Sequence, residues 1–242
     1  MKATNSSYNF KNSRERIKDI LAAGDVSYKE VDTIPSRDRL TFTNGFYVNN
    51  TAALFVDIRN SSKLPEKYKK RVLARIYRAY ISELVAIINS NDDCVEVNIH
   101  GDSVWGVFDA RYQSQVDGVF DTAVKISSII DYLNCRLNKQ SIDPIIIGIG
   151  MDFGKILMIK AGYNGSGIND VVWMGDVVNQ ASKLCGNGNK NFNKEIMASS
   201  DFYSRLPDNS KRFLIWNGNH SCYHGNVINS NMSNWMEENG CK

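Results

Sequence analysis

The sequence contains few prolines, few cysteines and almost no excess of one charge. With 4 prolines and 17 glycines in 242 residues, its composition excludes a collagen-like or wholly disordered chain. No apolar run approaches the roughly 20 residues of a transmembrane helix, and the polar start MKATNSSYNF lacks the apolar core of a signal peptide. A net charge of +3 is too small to indicate binding to nucleic acid or to a membrane surface. We therefore expect no membrane insertion and no nucleic-acid partner.

The cysteines form no recognisable motif. The five cysteines are widely spaced and include no CxxC pair, so we predict neither a disulfide framework nor a zinc site. Cys94 and Cys135 lie in apolar segments, where a free thiol acts as a small hydrophobic side chain. His220, Cys222 and His224 are compatible with a metal cluster, but their alternation is equally typical of a strand. The expectation is a reduced, cytoplasmic protein.

The length fits one main domain with appendages. We predict an N-terminal extension at residues 1–47, a main domain at 48–205, and C-terminal strands with a short helix at 206–242 that complete it. Within the extension, the polar first twelve residues are expected to be disordered, and Ser13 is expected to cap a short helix.

Apolar periodicity predicts helices and strands in alternation. Asn44 and Gly45 predict a turn of the kind that joins hairpin strands. Alternating or continuous short apolar runs indicate strands, and 3.6-residue repeats indicate helices. The resulting order is a strand over 52–56, a helix over 65–89, a hairpin of 95–99 and 104–108, a helix over 117–137, a hairpin of 144–151 and 155–160 joined at 152–154, a short strand over 171–173 and a helix over 176–185. This order predicts an α+β fold of ferredoxin-like type, with an antiparallel-rich sheet and helices on one face.

Two aspartates stand where this fold would bring strand ends together. Asp57 ends an apolar strand, and Asp102 occupies the tip of the first hairpin. Two carboxylates at one sheet edge repel each other unless a cation lies between them, and Mg²⁺ or Mn²⁺ prefers such oxygen ligands. The alternative is that each aspartate only serves a strand end or a turn, where the residue is common.

Two further segments are weaker signals. The glycine-rich stretch 162–167 could bring backbone N–H groups close to phosphates, but it lacks the P-loop lysine, and a simple hairpin loop is the better interpretation. Asn179 and Lys183 are four residues apart and so share one helix face. That face could stabilise charge on a triphosphate or simply be a solvated surface.

Together these segments resemble the class III nucleotidyl cyclase family. The first matching motif is Phe55-Val-Asp-Ile58 with a small-residue loop after it, and the second is the Gly101-Asp102 hairpin. The third is the segment from Met174 to Lys183, MGDVVNQASK. Three motifs in family order, over roughly residues 48–200, predict the cyclase catalytic domain for residues 48–205.

The resemblance implies a metal-dependent site. Asp57 and Asp102, with the carbonyl of Ile58, correspond to the ligands of two divalent cations, Mg²⁺ or Mn²⁺. The backbone amides that follow are implied to hold the β- and γ-phosphates, and the substrate-binding residues of this loop are then Arg59, Asn60, Ser61 and Ser62.

The resemblance also implies a homodimer with composite sites, because the family takes the metal ligands and the third motif from different protomers. Asn179 corresponds to the residue that orients the ribose. Lys183 stands where the family usually has an arginine on the α-phosphate, and a lysine supplies a point charge instead of a planar fork.

Departures from the purine cyclases indicate the substrate. Asn98 and Val172 occupy the positions of the family's adenine-reading lysine and aspartate or threonine, and Trp173 could narrow the pocket. The chain thus looks like the stand-alone pyrimidine cyclases of bacterial Pycsar anti-phage systems, which convert UTP or CTP to a cyclic nucleotide that activates a separate effector protein. UTP is placed slightly ahead of CTP. The alternatives are a purine cyclase with an unusual pocket and a catalytically inactive dimerisation module.

Overall fold

The computed structural model describes residues 2–5, 7–24 and 27–241, and residues 1, 6, 25, 26 and 242 lie outside this part. The described strands are β1 Tyr28–Val31, β2 Gly45–Ile58, β3 Cys94–His100, β4 Ser103–Asp109, β5 Ile147–Tyr163, β6 Ile168–Met174, β7 Ile196–Ser199, β8 Ile215–Asn217 and β9 Cys222–Gly225. The α-helices are α1 Phe10–Ala22, α2 Leu64–Lys67, α3 Lys70–Asn89, α4 Gln113–Asn138, α5 Asp176–Asn187, α6 Ser200–Arg205, α7 Asp208–Lys211 and α8 Ser230–Glu238. None of these helices is long and apolar enough to cross a bilayer.

The strands form one mixed sheet in the order β3-β4-β2-β5-β7-β9-β8, with β1 added to β2 and β6 added to β5. Among the described strands, only the β1–β2 and β5–β7 pairs are parallel. The β3–β4 hairpin has the predicted bounds to within a residue or two. The predicted antiparallel-rich α+β sheet is therefore confirmed.

Helices cover both faces of the sheet. Alternate residues of a strand point to opposite faces, so Leu54 and Val56 pack in the main core with α3 and α4, whereas Phe55 packs with Val177 and Ala181 of α5. The two long helices share one face, as expected. The expectation that all helices lie on that face is wrong for α5, because the opposite face of β2 is also apolar.

Two glycines allow α5 to lie directly on β5. A Cβ atom on Gly150 would be 2.1 Å from the carbonyl oxygen of Ala181 and 2.1 Å from the nitrogen of Cys185. A Cβ atom on Gly148 would be 2.4 Å from the Cys185 carbonyl oxygen. The close approach of the two backbones fixes where α5 presents its exposed side chains.

The predicted turn at Asp152–Gly154 is wrong, because β5 continues through it. Asp152 pairs with Ala53 of β2, and the ladder extends past Gly154. The Asp152 carboxylate is buried and accepts hydrogen bonds from the Phe153 N–H and the Ser199 hydroxyl. Partners in the fold satisfy the aspartate, so its local turn preference is overridden.

The N-terminal helix begins earlier than expected. Asn9 is its cap, and its side-chain oxygen accepts a hydrogen bond from Lys11 N at 2.9 Å. Ser13 therefore lies inside the helix, and the predicted cap is wrong. The prediction that the first twelve residues are disordered is wrong from Phe10 onward, because these residues are helical.

Two other boundaries differ from the prediction. Asn44 and Gly45 form no hairpin turn, because Gly45 begins β2 beside the parallel strand β1, and a Cβ atom there would be 2.7 Å from the ring of Tyr28. The helix expected over 65–89 is interrupted at Tyr68, whose backbone is extended and whose ring packs on the main core.

A disulfide joins Cys135 of α4 to Cys241, 106 residues further along the chain. The expected free thiol at Cys135 is therefore wrong, since so distant a pairing leaves no local pattern in the sequence. Lys139 donates to the carbonyl of Gly240 at 2.9 Å beside it. Both contacts hold the end of the chain against α4. The cysteines without a disulfide are Cys94, Cys185 and Cys222.

Candidate active site

The sheet register brings Asp57 and Asp102 to the same edge. The β2–β4 pairing ends at Val56 opposite Val104, and the same register continued by two residues places Ile58 opposite Asp102. Asp102 lies in the two-residue turn of the β3–β4 hairpin, where Gly101 adopts a φ of +63° that suits glycine. The turn thus presents Asp102 to the end of β2, as the sequence predicts.

The two carboxylates form an electrostatically strained pair. Burial raises the pKa of Asp57 to about 6, the negative charge of Asp102 adds to the rise, and the Arg59 guanidinium opposes it. The Oδ2 atom of Asp102 is buried and has no hydrogen-bond partner in the described part of the chain. An orphaned carboxylate oxygen beside a second carboxylate is the donor set that a hard divalent cation requires. The residues present therefore fit the implied metal ions.

The metal ligands would come from few protein groups. The described residues contain no group of three or more histidine, cysteine, aspartate or glutamate side chains that could hold a metal ion. Asp57, Asp102 and the Ile58 carbonyl would thus leave coordination positions for phosphate oxygens and water, which suits Mg²⁺ or Mn²⁺.

Two tyrosines of α3 lie close to this pair, and sequence reasoning missed both. Burial raises the pKa of Tyr77, and the charges of Asp102 and Asp57 raise it further. Tyr80 is fully buried, its hydroxyl has no hydrogen-bond partner among the described residues, and its pKa is raised well above the ordinary value, chiefly by burial. Their helical spacing could only have assigned them to the apolar face of α3.

Arg59 is turned away from the position expected of a phosphate-binding residue. Its side chain is buried, and its Nη2 atom lies 3.1 Å from Asp57 Oδ2. Its backbone N–H donates to the carbonyl of Ile146 at 2.7 Å, so this amide is already used in the extension of the β2–β5 ladder.

The rest of the loop retains the expected form. Asn60 has a left-handed backbone with a φ of 55°, which reverses the chain after β2. Ser61 and Ser62 begin a 3₁₀ turn that leads into α2. The first N–H groups of a helical turn have no acceptor in a preceding turn, so these two remain candidates for phosphate binding.

Asn179 and Lys183 line one pocket, as their spacing on α5 predicts. The pocket has a volume of about 360 Å³ and is lined by Asp152, Asp176, Asn179, Gln180, Lys183, Ser199, Ser200, Asp201 and Ser221. Neither Asp57 nor Asp102 belongs to its lining. The structure thus brings together the members of each half of the site, and the pocket beside α5 does not include the two aspartates.

Of the residues predicted to read the base, Asn98 and Trp173 lie next to one aromatic surface. Asn98 of β3 pairs with Trp105 of β4, and Trp105 stacks on Phe55 with ring centroids 4.8 Å apart. Trp173 is buried in a cluster that also contacts Trp105, whereas Val172 is exposed. Sequence reasoning missed Trp105, although its position in the hairpin opposite Asn98 could have indicated it.

Two of these residues carry unsatisfied donors. The Asn98 Nδ2 and Trp173 Nε1 atoms are buried and, within the described ranges, have no hydrogen-bond partner. Burying a donor without a partner costs about 1–3 kcal/mol, which a ligand acceptor at these positions would offset.

The glycine-rich stretch and the histidines near the end of the chain have structural roles. The stretch 162–167 contributes to the β5–β6 hairpin and its turn. The His224 Nδ1 atom accepts from the backbone N–H of Lys194, and the His220 Nε2 atom lies 3.0 Å from the side-chain nitrogen of Asn193. The histidines therefore serve the fold around β9.

Comparisons with known proteins identify the family. Residues 47–235 match the adenylate and guanylate cyclase catalytic domain. The chain is 40% identical over 260 aligned residues to a uridylate cyclase of Gulbenkiania mobilis, covering 99% of this chain and 100% of the relative. It is 38% identical over 207 residues to a uridylate cyclase of Treponema porcinum, covering 86% of this chain and 72% of the relative.

The fold is similar to that of the adenylyl cyclase CyaB from P. aeruginosa, with a TM-score of 0.59 and 20% identity over 69% of this chain and 83% of that one. The chain therefore belongs to the adenylate and guanylate cyclase catalytic domain family. The resemblance inferred from the three motifs is confirmed.

Proposed function

We propose that this protein is a pyrimidine nucleotide cyclase that converts UTP to 3′,5′-cyclic UMP and pyrophosphate, with CTP as the second candidate. The observation that carries the proposal is that the carboxylates of Asp57 and Asp102 lie close together. The Oδ2 atom of Asp102 is buried and has no hydrogen-bond partner among the described residues. Full-length similarity to proteins named uridylate cyclase supports the choice of base.

Asp57, Asp102 and the Ile58 carbonyl would hold two divalent cations. When bound, the cations would lower the pKa of the ribose 3′-hydroxyl and neutralise charge on the triphosphate. Ser61 and Ser62 would donate backbone N–H groups to the phosphates beside them. The bond from the 3′-oxygen to the α-phosphorus forms as the bond from that phosphorus to the bridging oxygen breaks, and the hydroxyl proton passes to solvent.

The second half of the site would orient the nucleotide. Asn179 would hold the ribose with its side-chain amide, and Lys183 would place its ammonium near the α-phosphate, where negative charge accumulates. Because these residues line a pocket without Asp57 or Asp102, we propose that a homodimer completes each site with one half from each protomer.

The unsatisfied donors support a uracil base. Asn98 Nδ2 and Trp173 Nε1 would donate to base oxygens, and uracil offers two carbonyl oxygens where cytosine offers one and presents an amine in place of the other. Val172 offers no polar atom to the adenine amine. The two unpartnered donors therefore favour UTP over CTP.

The cellular role follows from the same family likeness. We propose that the cyclic nucleotide is a second messenger in bacterial antiviral defence and activates a separate effector protein. We propose that the enzyme acts in the cytoplasm, where its nucleoside triphosphate substrate is found.

The decisive experiment offers the purified protein equal ATP, GTP, CTP and UTP with Mn²⁺ and identifies the cyclic products. We expect predominantly cyclic UMP, and none from Asp102→Asn. Predominant cyclic AMP or cyclic GMP would contradict the pyrimidine assignment. Nucleotide binding without any product would instead support an inactive module.

A further inference from the structure

Arg59 connects the metal half of the site to α5 in the same chain. Its Nη2 atom contacts Asp57 twice, at 3.1 Å from Oδ2 and 3.2 Å from the backbone oxygen. Its Nη1 atom donates to the carbonyl of Gly186, in the last turn of α5, at 2.8 Å. The Cys185 sulfur lies 4.0 Å from Nη2. One guanidinium therefore touches both a proposed metal ligand and the helix that carries the third motif.

The guanidinium occupies a slot built by the fold. A Cβ atom on Gly148 would lie 3.1 Å from Arg59 Cζ, so a larger residue at that point of β5 would require the guanidinium to shift. The Arg59 side chain is 5% exposed, compared with 37% for Asp57. The side chain is thus held between β5 and α5 and is not directed toward solvent.

Charge favours this position. The last carbonyl groups of a helix carry partial negative charge, and a cation near them is stabilising. A guanidinium presents several donors in a rigid fork, so it can serve Asp57 and Gly186 together, which the single ammonium of lysine does less well. Removal of Arg59 would leave the carbonyl and the carboxylate without this partner.

We infer that Arg59 is a positioning residue that sets the Asp57 carboxylate relative to α5, and does not bind substrate. The inference rests on the proposed function in one respect: in a homodimer with composite sites, Asp57 and the α5 of the same chain serve different sites. Arg59 then couples the two active sites of the dimer.

The first test separates positioning from phosphate binding. Arg59→Met removes the charge at similar length, Arg59→Lys keeps a charge, and Arg71→Met removes an exposed arginine of α3 as the control. For Arg59→Met we expect Mn²⁺ binding without nucleotide, followed by electron paramagnetic resonance, to weaken roughly 10–100-fold, as for other residues that orient metal ligands. Arg59→Lys should recover part of the affinity. The KM for UTP at saturating Mn²⁺ should change little.

A raised KM for UTP with unchanged Mn²⁺ binding would overturn the inference and restore Arg59 to the phosphate site. Hydrogen exchange in the metal-free protein supplies a readout independent of activity. The Gly188 amide, which donates to Leu184 and Cys185 of α5, should exchange faster in Arg59→Met and unchanged in Arg71→Met. Equal exchange in both variants would show that Arg59 does not hold α5.

The second test examines the coupling between sites. A heterodimer of an Asp102→Asn chain and an Asn179→Ala chain keeps one complete site, built from the metal half of the second chain and α5 of the first. Arg59→Met is then added to either chain. We expect a higher Mn²⁺ concentration for half-maximal activity when it is added to the Asn179→Ala chain, and a lower kcat when it is added to the Asp102→Asn chain.

If Arg59→Met lowers activity only in the Asn179→Ala chain, Arg59 does not couple the two active sites. An inactive parent heterodimer, with wild-type dimer active under the same conditions, would instead refute the composite site on which the coupling depends. The Mn²⁺-binding and exchange measurements on Arg59→Met would still decide the positioning role.

Discussion

Gly150 lies so close beneath Cys185 that a Cβ atom on the glycine would be 2.1 Å from the cysteine nitrogen. The helix that carries Asn179 and Lys183 is therefore seated on the sheet by backbone contact. The Ala181 carbonyl oxygen would be equally close to that Cβ atom. Because the Cys185 nitrogen and the Ala181 oxygen are backbone atoms, they cannot move aside as a flexible side chain could.

Gly150→Ala should therefore displace α5. We expect overpacking to lower the free energy of unfolding by about 1–3 kcal/mol and the displaced Asn179 and Lys183 to lower kcat at saturating UTP. Denaturant unfolding and steady-state kinetics measure the two effects. The matched control is Gly118→Ala in α4, where a Cβ atom meets only the Asn91 side chain at 3.4 Å. Equal behaviour of the two variants would refute the close contact.

Asp57→Ala and Asp102→Asn should each abolish cyclase activity while the protein stays folded. A site that supplies several kcal/mol of transition-state stabilisation gives a loss of ~10³-fold or more. Product formation from UTP with Mn²⁺ measures the loss, and size-exclusion chromatography checks the fold. Asp92→Asn, at an exposed position in the loop before β3, is the control with the same change of charge. Turnover near the wild-type rate in either site variant would refute the metal assignment.

Mixing two inactive variants should restore activity if the sites are composite. In a heterodimer of Asp57→Ala and Asn179→Ala, one site carries both defects and the other carries neither. We expect up to about half the wild-type activity within that species, and none from either variant alone. Confirmed exchange of subunits with no recovered activity would show that each chain builds its own site.

Asp152 makes stability depend on pH in a defined direction. Burial raises its pKa to about 6, against the opposing hydrogen bonds from Ser199 and Phe153, whereas an unfolded aspartate titrates near pH 4. The folded protein therefore binds more protons between about pH 4 and 6, so the stability due to this group is present below that window and is lost as pH rises through it.

Asp152→Asn should remove this dependence, because its side-chain oxygen can still accept both hydrogen bonds. We expect the variant to gain stability relative to wild type at pH 7.5, and to gain less at pH 4.5. Urea unfolding at the two pH values measures the difference, with Asp92→Asn as the control. An unchanged difference between the pH values would show that Asp152 is not the group responsible.

The sequence predicts what local pattern determines. Asp57 and Asp102 follow from a strand end and a hairpin tip, and α5 follows from apolar spacing around Asn179 and Lys183. The sequence alone does not predict that β5 continues through Asp152. The strand partner Ala53 and the hydrogen-bond donor Ser199 are both distant from Asp152 in the chain. The position of Arg59 was missed for a similar reason.

Arg59 follows Asp57-Ile58 in the sequence, and the family resemblance implied that its backbone amide binds a phosphate. Its buried position depends on the space left by Gly148 and on the carbonyl of Gly186, which only the packed fold brings together. The Cys135–Cys241 pair likewise depends on where α8 ends relative to α4. Contacts between distant segments are thus what the motifs could not contain.

Substrate choice should respond to Asn98 and Val172. Asn98 Nδ2 is a buried donor without a partner among the described residues, and Val172 offers no polar group, so the adenine amine would find no acceptor there. Asn98→Lys with Val172→Asp introduces the lysine and aspartate that the purine cyclases carry at these two positions. We expect the ratio of ATP to UTP turnover to rise by about tenfold or more, since a polar base edge that gains its partners is worth about 1–3 kcal/mol. Competition between ATP and UTP in one reaction measures the ratio directly. The single variant Val172→Asn, which adds a polar group without the lysine, is the control; an unchanged ratio in the double variant would show that these positions do not read the base.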